Sequence, residues 1–472
     1  MPNQTVPGVY IQEISTLPAS IAPVSTAVPA FVGYTGVITK DGESLVNKAI
    51  RITSMLEFEE IFGGPNNEAI TLVIDDQYDA DDNLISRTFS AALATPSPFN
   101  LYYSMQMYFS NGGGPCYIVT VGDYSGGVVD PAALVAGLAP VEKKDEPTLL
   151  VFPDAGSLTT LAEYGQVAVA AMQQCAKLQD RFTIMDAISS DGSLTTVNNY
   201  RNILGNDNLK YGASYYPFLK TLLNFGFLET AVTVTHNKTG GTPPAIPDFT
   251  GTLAALAPGG AADNPAIHRA LLAEIKKLYV VLPPSGVMAG VYARVDAERG
   301  VWKAPANVSL FTTLAPAVRI TNGMQDYLNV DATSGKSINA IRTFAGKGII
   351  VWGARTLAGN DNEWRYVPVR RLFIFIEESV KKASEFVVFE PNVKNTWVRV
   401  KAMIENFLTG LWKDGALAGA KPEDAFFVKV GLGETMTAID ILEGRMNVEI
   451  GLAAVRPAEF IILKFSHKLQ ES

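Results

Sequence analysis

Metal and thiol chemistry have almost nothing to build on in this chain. Its 472 residues include three histidines and two cysteines. His236, His268 and His467 are scattered, whereas a zinc site needs ligand pairs at close spacing on a turn or helix. Cys116 and Cys175 lie far apart in apolar surroundings, the setting of buried free thiols rather than of a disulfide framework. A reducing compartment of synthesis fits. Positive charge is also short: the formal net charge is -9 and the isoelectric point about 5.1. Neutralising phosphates takes a basic surface, so nucleic acid is not expected as a partner. Long apolar runs are absent too. Residues 21–38 carry no charge, but Pro23, Pro29, Gly33 and Gly36 interrupt them and Ser and Thr dilute them, which argues against membrane insertion. The opening MPNQTVPGVY has no basic region followed by an apolar stretch, so no signal peptide is expected and leaving the cell would take lysis or a particle.

Nucleotide and ion loops fail on spacing. Gly112, Gly113 and Gly114 lie between a predicted helix and a predicted strand. A dinucleotide loop must run from strand into helix so that its amides face the phosphate. Ser334-Gly335-Lys336-Ser337 resembles the end of a phosphate loop, but Val330 stands where the first glycine belongs, and the stretch reads as a surface loop. A calcium loop starting at Asp79 would need Gly and Glu where Leu84 and Ser90 stand, leaving a solvated acidic turn. The strongest enzyme candidates are Asp154 and Asp186, at the C-terminal ends of predicted strands where open α/β sheets place ligands. No neighbouring His, nucleophile elbow or Lys completes a site, and the same positions suit carboxylates that cap turns.

Hydrophobic residues make up 47% of the chain, enough for two or three domains with large cores. The pattern is mixed α/β. Strand readings over 49–53, 116–121, 148–152 and 181–186, with helices over 55–62, 101–109 and 158–178, give strand–helix–strand grammar and a partly parallel sheet covered by helices. Residues 71–90 read as a hairpin. Surface insertions are expected near 66–97 and 224–265, and the Gly, Pro and Thr-rich tract 235–264 reads as a loop excursion. Residues 1–20 form an extended arm, since Pro7 and Pro18 deny it a place inside a sheet. Extended at about 3.3 Å per residue, the run from Val9 to Ala30 could reach about 70 Å, comparable with a subunit diameter.

Residues 21–365 then make an α/β middle domain, and 366–472 a C-terminal module. In that module the spacing predicts a helix over 370–389 with Glu377–Lys381 and Glu378–Lys382 pairs on its outer face. A second helix begins near Val393 with Asn392 as its cap and Gly415 as its stop. Strands follow over 425–430, 445–450 and 459–465. The module holds no His, Cys or carboxylate cluster suited to chemistry. It reads as a part made to dock.

Four motifs carry a family resemblance: GKGIIVWGARTL (346–357), WRYVPVRRL (364–372), VFEPN (388–392) and RPAEF (456–460). With the look-alike stretches at 281–307 and in TVPGVYIQEI and VPAFVGYTG near the start, the chain resembles contractile tail sheath proteins of phages and phage-tail-like injection systems. The resemblance implies a structural subunit, not an enzyme, that polymerises in stacked hexameric rings around an inner tube and contracts to drive that tube through a target envelope. It implies no cofactor and no metal. Partners would be further copies of the chain, the inner tube protein, baseplate and terminator or cap proteins, with related sheath proteins as an open addition. The particle would be assembled in the bacterial cytoplasm. Strand donation between subunits would fall to Val9, Tyr10, Ile11, Gln12, Glu13 and Ile14 and to Glu459, Phe460, Ile461, Ile462, Leu463, Lys464 and Phe465. Glu377, Glu378, Lys381 and Lys382 are the candidate inner-tube contacts, although a plain solvated helix face fits them equally. An α/β enzyme with an unrecognised site and a receptor- or glycan-binding particle protein stay open as alternatives.

Overall fold

The computed structural model describes residues 21–241 and 248–462, and the chain divides into two compact units. One is Ser25–Ile374 with the run from Arg456 onward; the other is Phe375–Val455 with the described residues up to Val24.

The larger unit holds strands β1 (Pro29–Gly33), β2 (Ala49–Ile52), β3 (Ile70–Tyr78), β4 (Leu84–Leu93), β5 (Cys116–Thr120), β6 (Leu149–Val151), β7 (Phe182–Asp186) and β8 (Gly212–Tyr216). These are followed by β9 (Thr233–Thr239), β10 (Gly251–Thr252), β11 (Ile338–Phe344) and β12 (Gly348–Val351). Eight strands form one sheet in the order β12-β11-β8-β7-β6-β1-β5-β2. The six inner strands run parallel, while β12 and β2 pair antiparallel at the edges. The inner strands carry near-continuous apolar runs, and β1, β5, β6, β7 and β8 are buried at every position. That is the composition of strands covered on both faces.

Helices α1 (Leu101–Ser110), α2 (Leu161–Leu178) and α3 (Ser285–Arg299) belong to this unit. Thr160 and Glu163 form a capping box at the start of α2, satisfying two orphan N–H groups. Helix α3 runs for 15 residues after Pro283 and Pro284. It meets α1 backbone to backbone: a Cβ on Gly290 would lie 2.5 Å from the Tyr108 carbonyl oxygen, and one on Gly286 2.8 Å from Ser104 Cβ.

The two expected insertions are one body. Strand β9 pairs parallel with β3 along seven residues, β3 pairs with β4 as a hairpin, and β10 completes a four-stranded sheet. Ile70, Leu72, Ile74, Val234, Leu253 and Leu271 build a separate small core beneath it. The tract from 235 thus begins as a strand rather than a loop. Asp76, fully buried, ties this sheet together: Arg87 donates to both carboxylate oxygens at 2.6 and 2.5 Å, His236 Nε2 lies 2.9 Å away, and Tyr78 donates at 3.0 Å. Asp79 accepts from the N–H groups of Asp81 and Asn83 and so closes the acidic turn.

The smaller unit contains α4 (Val367–Ser384) from Phe375 onward, α5 (Lys394–Lys413), β13 (Phe426–Lys429) and β14 (Glu449–Leu452). Val400, Met403, Ile404, Leu408 and Leu411 form the buried stripe of α5. Its cap residue is Val393, not Asn392. The Asn392 amide is recruited elsewhere, accepting from Trp397 Nε1 at 2.6 Å and donating to the Arg445 carbonyl at 2.9 Å. Gly415, at φ +84, takes the left-handed turn that ends the helix. Among the described residues β13 and β14 pair only with each other. The strand expected over 445–450 starts four residues later than read.

Candidate functional site

The sheet-end carboxylates are closed to substrate. Asp154 accepts from the N–H groups of Asn100 at 2.5 Å, Leu101 at 2.9 Å and Tyr34 at 2.6 Å. It thereby ties the start of α1 to the end of β1, and a Cβ on Gly33 would sit 2.4 Å from it. Asp186 accepts from the N–H and Oγ–H of Ser285, both at 2.7 Å, and holds the first residue of α3. Burial pushes both carboxyls up to about 7 against the downward pull of these donors. Each acts as a cap in the interior. Lys336 is no surface residue: buried, it donates to the Arg201 carbonyl at 2.8 Å while Arg201 Nε donates to the Lys336 carbonyl at 2.9 Å. Among the described residues no cluster of three or more His, Cys, Asp or Glu is arranged to hold a metal. No described helix is long and apolar enough to cross a membrane.

Two of the buried arginines of the larger unit hold segments near the two ends of the chain. Arg355 donates from Nε to Glu459 Oε1 at 3.0 Å and from Nη2 to Oε2 at 2.5 Å. Its Nη1 reaches the Gly359 carbonyl at 3.3 Å. Asn329 Nδ2 and the Tyr366 hydroxyl complete the ring around Glu459, at 2.8 and 3.3 Å. Such a bidentate pair fixes orientation as well as distance. Beyond Glu459, Phe460, Ile461 and Ile462 are 71%, 78% and 81% exposed. Near the other end of the chain, Arg371 donates to Asp296 at 3.0 and 2.6 Å and to the Thr26 carbonyl at 2.8 Å. Its guanidinium lies 4.7 Å from the centre of the Tyr292 ring.

The family profile of the phage tail sheath C-terminal domain matches residues 359–468. A tail sheath protein of Vibrio phage KVP40 is 27% identical over 135 residues, 28% of this chain, and that of Enterobacteria phage T4 is 24% identical over 132 residues, 27% of this chain. Each alignment spans 19% of the phage protein's length. Likeness to two solved structures runs the whole length. The sheath of an extracellular contractile injection system, PVC, in the contracted state is 32% identical over 99% of both chains, with a TM-score of 0.66. The chain belongs to the contractile tail sheath family. The contracted helical sheath of the anti-feeding prophage is as similar, at 32% identity and a TM-score of 0.66 over 99% of this sheath protein and 100% of that one.

The residues expected to act in this sheath protein divide into three groups. Val9, Tyr10, Ile11, Gln12, Glu13, Ile14, Leu463, Lys464 and Phe465 lie outside the described residues. Glu459 sits in the arginine clamp, and residues 459–462 pair with no strand of their own chain among the described residues. On α4, Glu377, Lys381 and Lys382 are exposed, but Glu378 is only 8% exposed and bonds Lys381 at 2.7 Å, an i,i+3 pair in place of the expected i,i+4 pairing with Lys382. Arg355 and Arg371 went unread as functional residues. The available signal was the arginines within two family motifs, Arg355 in the apolar 346–357 stretch and Arg371 among the apolar residues of 364–372, where a cation needs a partner.

Proposed function

We propose that the protein is a structural subunit of a contractile sheath, forming stacked six-subunit rings around an inner tube and shortening to drive that tube through a target envelope. The observation that carries this reading is the full-length likeness, at 32% identity, to the sheath of a contractile injection system. It is supported by the two-stranded ladder of β13 and β14, because a lone two-stranded ladder is marginal in water and its unpaired N–H and C=O groups invite further strands. Residues 9–14 of one subunit and 459–465 of another would supply them to a third. Each backbone bond is worth about 0.5 to 1.5 kcal/mol net, so a donated strand contributes a few kcal/mol per link, and repetition over the lattice makes release improbable.

Residues 1–20 serve as one arm, residues 21–365 as the body and residues 366–472 as the polymerising module that faces the tube. Exposed Glu377, Lys381 and Lys382 mark the face of α4 proposed to meet the inner tube, and Glu378 is buried against Lys381 beneath it. Exposed Val388, Phe389, Val398, Ile439 and Leu442 leave apolar surface for neighbouring subunits. Energy comes from tighter packing of body against body in the shortened lattice, which requires no nucleotide. Baseplate and cap proteins close the two ends. The subunit is made in the bacterial cytoplasm and released in the particle.

Negative-stain microscopy of the protein co-expressed with its inner-tube partner should show striated tubes or rings. Monodisperse globules under all conditions would sink the proposal. Deleting residues 1–14 should leave a folded, non-polymerising subunit, and tubes of normal length after that deletion would refute the donated arm.

A further inference from the structure

The two arginine clamps have a common form. Each is a buried guanidinium, one at the body end of the chain's first run and one at the body end of its last. Arg355 lies in the 346–357 motif, Tyr366 in 364–372 and Glu459 in 456–460, so three of the four motifs that identify the family meet at one carboxylate. Arg371, in the 364–372 motif, holds Thr26 by its carbonyl while Asp296 pairs with both terminal nitrogens and the Tyr292 ring stacks on it. Both arginines are buried. Arg355 holds the carboxylate just before exposed Phe460, and Arg371 holds the carbonyl of Thr26, next to the residue at which the larger unit's first run begins.

Resting on the sheath reading, the geometry points to Arg355 and Arg371 as the anchors that separate each terminal arm from its subunit. The C-terminal arm starts at Phe460; toward the N-terminus Arg371 holds Thr26, the second residue of the larger unit's first run, and the arm of residues 1–20 lies beyond residues 21–24 of the smaller unit. Tension in the C-terminal arm passes from the Glu459 carboxylate to Arg355 and then through Asn339, which bonds both backbone groups of Arg355 at 2.7 and 2.8 Å, into β11 of the parallel sheet. A parallel ladder pulled along its strands loads its bonds together, whereas an arm without an anchor would peel its root from the surface one bond at a time. Arg355 and Arg371 are thus positioning residues for the arms, and bidentate geometry makes lysine a poor replacement.

The test uses the unassembled full-length chain, so that it does not depend on the sheath reading. A nitroxide is placed at Ala458→Cys, just inside the proposed anchor, or at Ile462→Cys, just outside it. Glu459→Ala should raise label mobility at 458 by about tenfold or more, from body-like to loop-like motion, and leave 462 unchanged. Because Glu459→Ala strands a buried cation and could unfold the chain, the pair Arg355→Met/Glu459→Met removes the clamp with apolar side chains of similar volume, a change buried ion pairs tolerate. It should give the same mobility gain with the melting temperature kept. At the other end Arg371→Lys should mobilise a label at Ser25→Cys. Equal mobility at 458 in parent and both variants would overturn the anchor, as would a gain at 462 matching that at 458. Co-expressed with the inner tube, the double-methionine subunits should form tubes that shed subunits under shear. If parent protein forms no tubes, the sheath reading fails. If parent and variant tubes resist shear alike, only the anchor fails.

Discussion

The side chain of Asn339 pairs with the backbone of Arg355 as a neighbouring strand would, accepting from its N–H at 2.7 Å and donating to its carbonyl at 2.8 Å. The same amide nitrogen reaches the Ser214 carbonyl on β8 at 3.1 Å. One buried side chain therefore joins the sheet to the segment that carries the clamp.

Asn339→Ala would leave those three backbone groups short of a partner in the interior. The expected cost is about 3 kcal/mol or more, since each of the three buried groups costs about 1 to 3 when left unsatisfied. Urea unfolding of the unassembled subunit measures it, and an unchanged midpoint would show that water or relaxation replaces the amide. Gly353→Ala should reproduce part of the loss, because its Cβ would lie 2.8 Å from Asn339 Oδ1.

Gly290→Val tests the α1–α3 contact. Its first added carbon would meet the Tyr108 carbonyl at 2.5 Å, a backbone atom that cannot swing aside. Overpacking of this kind costs about 1 to 3 kcal/mol. A lowered melting temperature is expected, whereas the same change at Gly126, where an added Cβ meets nothing within 4 Å, should leave it unaltered.

Stability should depend on pH in two opposed steps. Asp154 and Asp186, raised to about 7 by burial, hold protons that the unfolded chain gives up near 3.9, so their contribution falls as pH rises from about 4 to 7. Asp76 is the reverse case. Burial pushes it up, but Arg87, His236 and Tyr78 outweigh burial and hold it at about 2. Its contribution is present above about pH 4 and is lost as pH falls toward 2. The unassembled subunit should therefore melt highest on the mildly acidic side, at about pH 4 to 5, and Asp186→Asn should flatten the alkaline limb.

Cys116 and Cys175 are fully buried, and desolvation raises both thiols far above their ordinary range. A thiol-reactive dye should label neither in the folded subunit and both in guanidinium. Fast labelling of either one under native conditions would contradict the burial. The same inertness lets nitroxides be placed on new cysteines without removing these two.

Local pattern was enough wherever the stabilising partner is local. The helix over Met55–Phe62 is announced by Ser54, whose side chain accepts from the Glu57 N–H, and the inner strands by apolar runs between turns. Pattern failed where burial comes from a distant stretch. Thr233–Thr239 reads as polar tract, yet alternate residues are covered once β3, some 160 positions earlier, lies beside it. Lys336 looked solvated because the carbonyl that satisfies it belongs to Arg201, 135 residues away. The Glu459 clamp spans 104 residues. Its parts stand in recognisable motifs, but no spacing rule says that those motifs touch.

The ladder of β13 and β14 carries no address in its backbone. Any chain with the right alternation can bond to its rim, since N–H and C=O groups are the same in every sequence. On the proposed strand-donation reading, selection among donors rests on the side chains of the two strands, such as Val428 and Ile450, which pair across the ladder. On the same reading, a cell producing several such subunits builds mosaic tubes in which neighbours differ along the length, with composition decided by supply and by a few apolar side chains rather than by the donated-strand bonds.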